Sequence, residues 1–182
     1  DFGDSGKIAI VILADDQFAV TASVDPTITF SLSTNSTAFG TLSSTSVTTS
    51  SPNITLTIST NATSGYTLTV KDAGNNTNPG LYNSTAAFII GSANYSYANS
   101  ADLSSVAGYG IQGSSGTATI ASPYNVSGDN VGGYELTPQN LATYSGTADS
   151  HTVTITSKAK VTGATPAGSY NDTVTVIATG NF

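Results

Sequence analysis

The chain has 182 residues, about enough for one sizeable domain, and only 8% of them are charged, against about a quarter in an ordinary soluble protein. Its 30 Thr and 26 Ser make up nearly a third of the sequence, and it has no Arg, Cys, Met or Trp. A net charge of -7 without Arg provides no basic patch for a phosphate backbone, so we expect no nucleic-acid partner. The lack of Cys excludes disulfides and thiol chemistry.

The beginning of the chain indicates where the protein is found. It starts at Asp1 and contains no Met, so we expect a processed polypeptide from which a secretion signal has been removed, giving a secreted, extracellular protein. Its longest apolar stretch, residues 8–14, is far shorter than the roughly 20 residues that cross a bilayer. We therefore expect no membrane span.

Residues 8–14 are apolar without alternation, which is typical of a strand covered on both faces. Left exposed, such a segment would be an aggregation hazard. It is either a central strand of its own domain or a donor strand that fills an open groove in the next copy of the chain. Because donor and groove are different surfaces, the second arrangement propagates head-to-tail into a filament of identical subunits.

The side chains that would be buried in such a joint belong to Ile8, Ile10, Val11, Ile12 and Leu13. At roughly 1.5–3 kcal/mol each, their burial contributes on the order of 10 kcal/mol before entropic costs. We divide the chain into a leader with the donor strand (residues 1–16) and a single β-sandwich domain (residues 17–182).

Beyond the first segment, apolar residues alternate with Thr or Ser in five runs, a period-two pattern that predicts β-strands. These runs are residues 27–32, 54–58, 66–70, 153–155 and 174–176. Clusters rich in Gly, Asn, Ser and Pro, which favour turns, lie at residues 62–65, 73–76, 127–130 and 166–168. The pattern predicts an all-β fold, an antiparallel Ig-like or pilin-like β-sandwich. The stretch 81–112 loses the alternation, and we expect loops there, one short helical turn and one or two strands.

Eight of the 14 Asn begin an Asn-x-Ser/Thr sequon, the acceptor for N-glycans. Chance predicts about four in a chain this rich in Thr and Ser. The candidate glycosylation sites are Asn35, Asn53, Asn61, Asn75, Asn83, Asn94, Asn125 and Asn171. Covalent glycans are the one prosthetic group that we expect, although Asn in turns beside abundant Thr would give some sequons too.

Candidates for catalysis and metal binding are sparse. A Ser-His-Asp site would need His151, which is the one His in the chain and lacks a nucleophile-elbow context. A pair of carboxyl groups for glycoside hydrolysis would need Glu135, which is the one Glu. Asp129 with Asn130, and Asp72 with Asn75 and Asn76, lack an EF-hand spacing. We expect no enzyme and no metal.

Two further possibilities are a crosslink and a sugar platform. Isopeptide bonds from Lys71, Lys158 or Lys160 are conceivable. The nine Tyr could form a sugar-binding platform, but such residues more often fill a sandwich core.

The chain resembles the archaeal surface filaments called threads and, more loosely, other donor-strand pilins. The likeness rests on residues 8–14 ahead of a Thr/Ser-rich β domain, the sequons, the lack of Cys, and the ending 166–176. Type IV pilins differ, because they carry a much longer apolar N-terminal helix. The resemblance implies a glycosylated extracellular filament from a thermoacidophilic archaeon, acting in adhesion, contact between cells or biofilm, and touching surface glycans or neighbouring filaments.

The sequence therefore predicts a structural subunit of a cell-surface filament. The alternative is a non-polymerising secreted adhesin or carbohydrate-binding sandwich. Because so few groups ionise, we also expect stability to change little with pH.

Overall fold

The computed structural model of the chain describes residues 2–3, 5–11, 17–93 and 99–182. Thirteen strands lie in this part of the chain, and it contains no α-helix. The strands are β1 (Ile28–Leu32), β2 (Thr48–Thr49), β3 (Ile54–Thr60), β4 (Tyr66–Asp72), β5 (Gly80–Asn83), β6 (Phe88–Gly91), β7 (Ser100–Asp102), β8 (Gly108–Ser114), β9 (Thr119–Ile120), β10 (Asn130–Gly132), β11 (Gln139–Tyr144), β12 (Ala148–Lys160) and β13 (Val174–Gly180). All five predicted strands are present.

The strands form two antiparallel sheets and a small hairpin. The first sheet has the order β1-β3-β12-β8-β10-β7, with β2 added to β12, and the second has the order β13-β4-β11-β9. Strands β5 and β6 pair with each other. The predicted all-β antiparallel fold is confirmed. Strand β1 lies at an edge of the first sheet and β13 at an edge of the second.

The main core lies between the inner faces of the two sheets. Along β3, Leu56 and Ile58 are fully buried, and along β4 Leu68 and Val70 are at most 1% exposed. The Thr residues between them point to the opposite faces of the sheets, because side chains alternate along a strand. Each such apolar side chain contributes roughly 1.5–3 kcal/mol by its burial.

Three large tyrosines fill this core instead of forming a platform. Tyr66, Tyr124 and Tyr134 are at most 1% exposed. The Tyr124 hydroxyl donates a hydrogen bond to the carbonyl oxygen of Gly133 at 3.0 Å. This arrangement is the usual one for a buried tyrosine, whose hydroxyl needs a partner.

The region 81–112 contains more strands than the sequence predicted. It includes β6, β7, and parts of β5 and β8, so the expectation of one or two strands was wrong. Small residues hid the pattern: β8 reads GYGIQGS, and its glycines let neighbouring backbone approach. A Cβ atom on Gly110 would lie 2.5 Å from the carbonyl oxygen of Gly132 in β10, closer than van der Waals contact allows.

Candidate functional site

In the described part of the chain His151 lies against an aromatic ring and not in a Ser-His-Asp arrangement. His151 lies on β12 with its ring against that of Tyr144, at a centroid distance of 4.4 Å and near-perpendicular planes. Its Nδ1 atom is buried and makes no hydrogen bond. No hydrogen bond links this ring to a Ser or an Asp, so the geometry of a triad is not present.

Several of the candidate metal and crosslink residues have structural partners. Asp129 pairs with Lys158 at 3.5 Å, and Lys160 donates a hydrogen bond to the carbonyl oxygen of Ser104 at 2.7 Å. Asp72 accepts a hydrogen bond from the backbone N–H of Gly80 at 2.7 Å. No group of three or more metal-binding side chains lies close together among the described residues.

A groove of about 1010 Å³ opens on the surface of the sandwich. Its two rims are the segments 34–42 and 165–174, which follow β1 and precede or begin β13. The ends of β1 and β3 and the middle of β12 contribute the side chains of Leu32, Ile54 and Ile155. The groove is therefore an opening between the two sheets, next to their edge strands.

The groove is lined by the part of the core that is least well covered. Many of the apolar residues that touch the main core but remain partly exposed lie in its wall. They are Phe39, Leu42, Ile54, Val161, Tyr170 and Val176. Leu32, at the end of β1, is 46% exposed, and Val174, at the start of β13, is 37% exposed. In contrast, Leu56 and Leu68 at the centre of the sheets are fully buried.

Aromatic rings form the deep end of the groove. Phe39 meets Tyr109 edge to face, with centroids 6.0 Å apart, and Tyr109 lies 5.3 Å from Tyr134. Both tyrosines are nearly inaccessible, and their burial raises the pKa of the Tyr109 hydroxyl far above its ordinary value. The faces and edges of these rings give an aromatic surface against which aliphatic side chains can pack.

A pair of carboxyl groups lies beside this floor. Asp172 belongs to the wall of the groove, and Asp72, which is 3% exposed, lies at the end of β4. Burial raises the pKa of Asp72 to about 7, and the charge of Asp172 adds to the rise. Burial also raises the pKa of Asp172, against the effect of the backbone N–H groups of Gly74 and Thr173 that bind it. No sequence pattern indicated this pair, because its members are 100 positions apart.

The apolar segment at the N-terminus is not packed against the described part of its own domain. Residues 5–11 form no strand, and Ile8, Ile10 and Val11 are 88%, 81% and 76% exposed. Ile12 and Leu13 lie outside the described residues. The described half of the segment is thus an uncovered apolar stretch, which natural proteins rarely leave in that state.

The eight sequons differ in their surroundings. Asn35, Asn53, Asn125 and Asn171 are exposed, and Asn94 lies outside the described residues. Asn61 and Asn75 are half-buried, and both use their side-chain oxygens as hydrogen-bond acceptors for nearby backbone.

Asn83 is the sequon that the fold encloses. It is 2% exposed, and its Oδ1 accepts hydrogen bonds from the backbone N–H groups of Thr85 and Ala86. Its Nδ2 atom, which would carry the glycan, is shut off from solvent and lies against Gly168. The folded chain leaves no room for a sugar at this position.

Comparison with protein-family models and with curated proteins finds no match for this chain. Within the described ranges there is no helix with the length and hydrophobicity of a membrane span. The function must therefore be inferred from the groove, the uncovered N-terminal segment and the sequons.

Proposed function

We propose that the protein is a structural subunit of an extracellular filament. In this proposal the donor segment, residues 7–14, enters the groove of the next copy. The single observation that carries it is the coexistence, in one chain, of an uncovered apolar stretch and an uncovered apolar groove between two sheets. Each would cover the other, and since they belong to different surfaces, the contact repeats head-to-tail.

The position of the groove supports an extended peptide as its occupant. It opens beside β1 and β13, which are the last strands of their sheets. Edge strands offer unpaired backbone N–H and C=O groups, to which an added strand can bond while its alternate side chains enter pockets.

The chemistry of the donor segment matches that of the groove. Ile8, Ile10 and Val11 are aliphatic, and Leu32, Val174 and the ring of Phe39 line the receiving surface. Covering apolar area on both partners contributes about 25 cal/mol for each Å² removed from water. A joint of this kind opens rarely and needs no catalysis or cofactor.

N-glycosylation is part of the same proposal. Asn53 and Asn125 are exposed and lie outside the lining of the groove, so glycans there are compatible with a joint between subunits. Asn35 and Asn171 lie on the rims, where a glycan would border the inserted strand. A surface of hydroxyl groups and sugars keeps the filament hydrated despite its few charges, and the likeness to archaeal threads fits adhesion or biofilm as its role.

The test is assembly of the purified full chain, followed by sedimentation and negative-stain electron microscopy. Ile10→Asp should abolish filaments, while Val20→Asp should not, because Val20 is equally exposed (82%) but lies outside the donor segment. On the receiving side Leu32→Asp should abolish them, and Val106→Asp, at a 40% exposed site away from the groove, should leave them intact.

A monomer that persists at high concentration and under all solution conditions would contradict the proposal. That result would favour the second candidate, a non-polymerising binding module. The groove volume supports this candidate as well, because it equals the upper end of small-molecule sites. Titration with oligosaccharides, observed by the fluorescence of the tyrosines, would then be the decisive measurement.

A further inference from the structure

Two acidic side chains in and behind the groove wall lack a counter-charge. One oxygen of Asp172 accepts hydrogen bonds from the backbone N–H groups of Gly74 at 3.1 Å and Thr173 at 2.7 Å. One oxygen of Asp72 is bound by Gly80. The second oxygens, Asp72 Oδ1 and Asp172 Oδ2, are buried without a hydrogen bond of good geometry, although the nearby Tyr109 hydroxyl favours the charged form of Asp172. Two neighbouring carboxyl groups in such a place are costly to ionise together.

The lysines of the described domain do not compensate this pair. Lys158 forms an ion pair with Asp129, and Lys160 donates to the carbonyl oxygen of Ser104. Lys71 directly precedes Asp72 in β4, so its side chain points to the opposite face of the sheet. Among the described residues, no ion pair reaches Asp72 or Asp172.

The fourth lysine of the described residues lies on the donor segment. Lys7 is exposed and directly precedes the apolar residues 8–14. Among its described neighbours it makes no ion pair. When the apolar residues enter a groove, the side chain of Lys7 is carried to the same surface, because it is adjacent in sequence.

We propose that Lys7 of one subunit forms an ion pair with Asp172 in the groove of the next. This inference rests on the proposed function and adds the contact that fixes the direction of the inserted strand. The other end of the donor segment is followed by Asp15 and Asp16. A reversed strand would bring these two acids towards Asp172, and like charges at an interface select against the wrong arrangement.

The proposal is tested in assembled filaments of the full chain by a carbodiimide. This reagent bonds to one oxygen of a carboxyl group and so activates it. The Lys7 amine then attacks the carbonyl carbon and forms an amide, and the reagent leaves as a urea that contains the carboxyl oxygen. Because it adds no spacer, it joins only groups in contact. We expect a covalent ladder on denaturing gels and, by mass spectrometry, a peptide in which Lys7 is linked to Asp172.

Two conservative variants and a control complete this test. Lys7→Gln and Asp172→Asn should each remove the linked peptide, and Asp149→Asn, at an exposed site outside the groove lining, should keep it. Asp172→Asn retains an oxygen to accept the backbone hydrogen bonds, so the fold should persist. Filaments that link Lys7 to a different acid, or to none, would overturn the ion pair without contradicting the filament.

A second measurement is the critical concentration for assembly. Each single variant should raise it about tenfold or more at low salt, as loss of one partner of a partly buried charge pair does. The double variant should raise it no further than either single variant, because the pair is already broken. Multiplying effects, about a hundredfold in the double variant, would overturn the inference. Failure of the unmodified chain to assemble at all would overturn this inference and the proposed function together.

Discussion

The buried carboxyl group of Asp72 makes stability depend on pH, against the expectation drawn from the low charge content. Its pKa rises from 3.8 in the unfolded chain to about 7 in the folded one. The folded chain therefore binds the proton more tightly, so the stabilisation is complete below about pH 4 and is lost as pH rises towards 7. One pKa unit corresponds to about 1.4 kcal/mol, so ionising Asp72 costs the folded chain roughly 4 kcal/mol.

Asp72→Asn should remove this loss. The amide oxygen can still accept the hydrogen bond from Gly80, but the side chain no longer ionises. We expect the variant to be close to the unmodified chain at pH 4 and more stable by up to about 4 kcal/mol at pH 8. In urea, with a slope near 2 kcal/mol per molar, this difference moves the unfolding midpoint by about 2 M.

The assay is urea unfolding followed by tyrosine fluorescence from pH 4 to pH 8, at a concentration where sedimentation shows monomers. Asp149→Asn, at an exposed site, is the matched control and should retain the pH dependence of the unmodified chain. The reasoning would be refuted by a midpoint of the unmodified chain that is constant over this range. A pH dependence that Asp72→Asn leaves unchanged would refute it equally.

Three further outcomes follow from the packing and the sequons. Leu56→Ala, which empties a fully buried site, should lower the free energy of unfolding by about 2–5 kcal/mol. Leu32→Ala, at the half-exposed groove rim, should lower it by much less. Equal losses for the two variants in urea unfolding would contradict the assigned core. Gly168→Ala should lower the free energy of unfolding by about 1–3 kcal/mol, because Gly168 has φ +141° and its added Cβ would lie 2.5 Å from Nδ2 of Asn83. An unchanged midpoint of urea unfolding would contradict this strain. In protein from the native source, Asn125→Gln should lower the intact mass by one glycan and Asn83→Gln should not; a glycan found on Asn83 would contradict its burial in the folded chain.

Much of the fold was predictable because strand periodicity is local. The alternation in 54–58 and 66–70 predicted β3 and β4, and the turn cluster 62–65 predicted the connection between them. The stretch 81–112 carried weaker signals, since most positions of β7 and β8 are Gly, Ser or Ala. These strands form because neighbours approach them closely, as Gly132 approaches Gly110.

Of the candidate site, the sequence indicated one half. Residues 8–14 are the longest unbroken apolar run in the chain, and the fold leaves the described part of them uncovered. The receiving groove had no such signal, since its rims, 34–42 and 165–174, look like ordinary polar loops. The sequons share one pattern, although Asn83 is enclosed and Asn125 is exposed.

Residue type and spacing were enough to establish the all-β class, the hydroxyl-rich surface and the exceptional apolar segment, because each of these is a local property of the chain. Which strands lie at the edges depends on the tertiary structure. Strands β4 and β13 carry similar alternations, yet alternate residues of β4 are fully buried and those of β13 are only half-buried. The physical reason is that burial depends on what packs against a strand, and pairing in a sheet joins residues far apart in the chain. The same long-range pairing brings Asp72 to Asp172 and places both beside the groove.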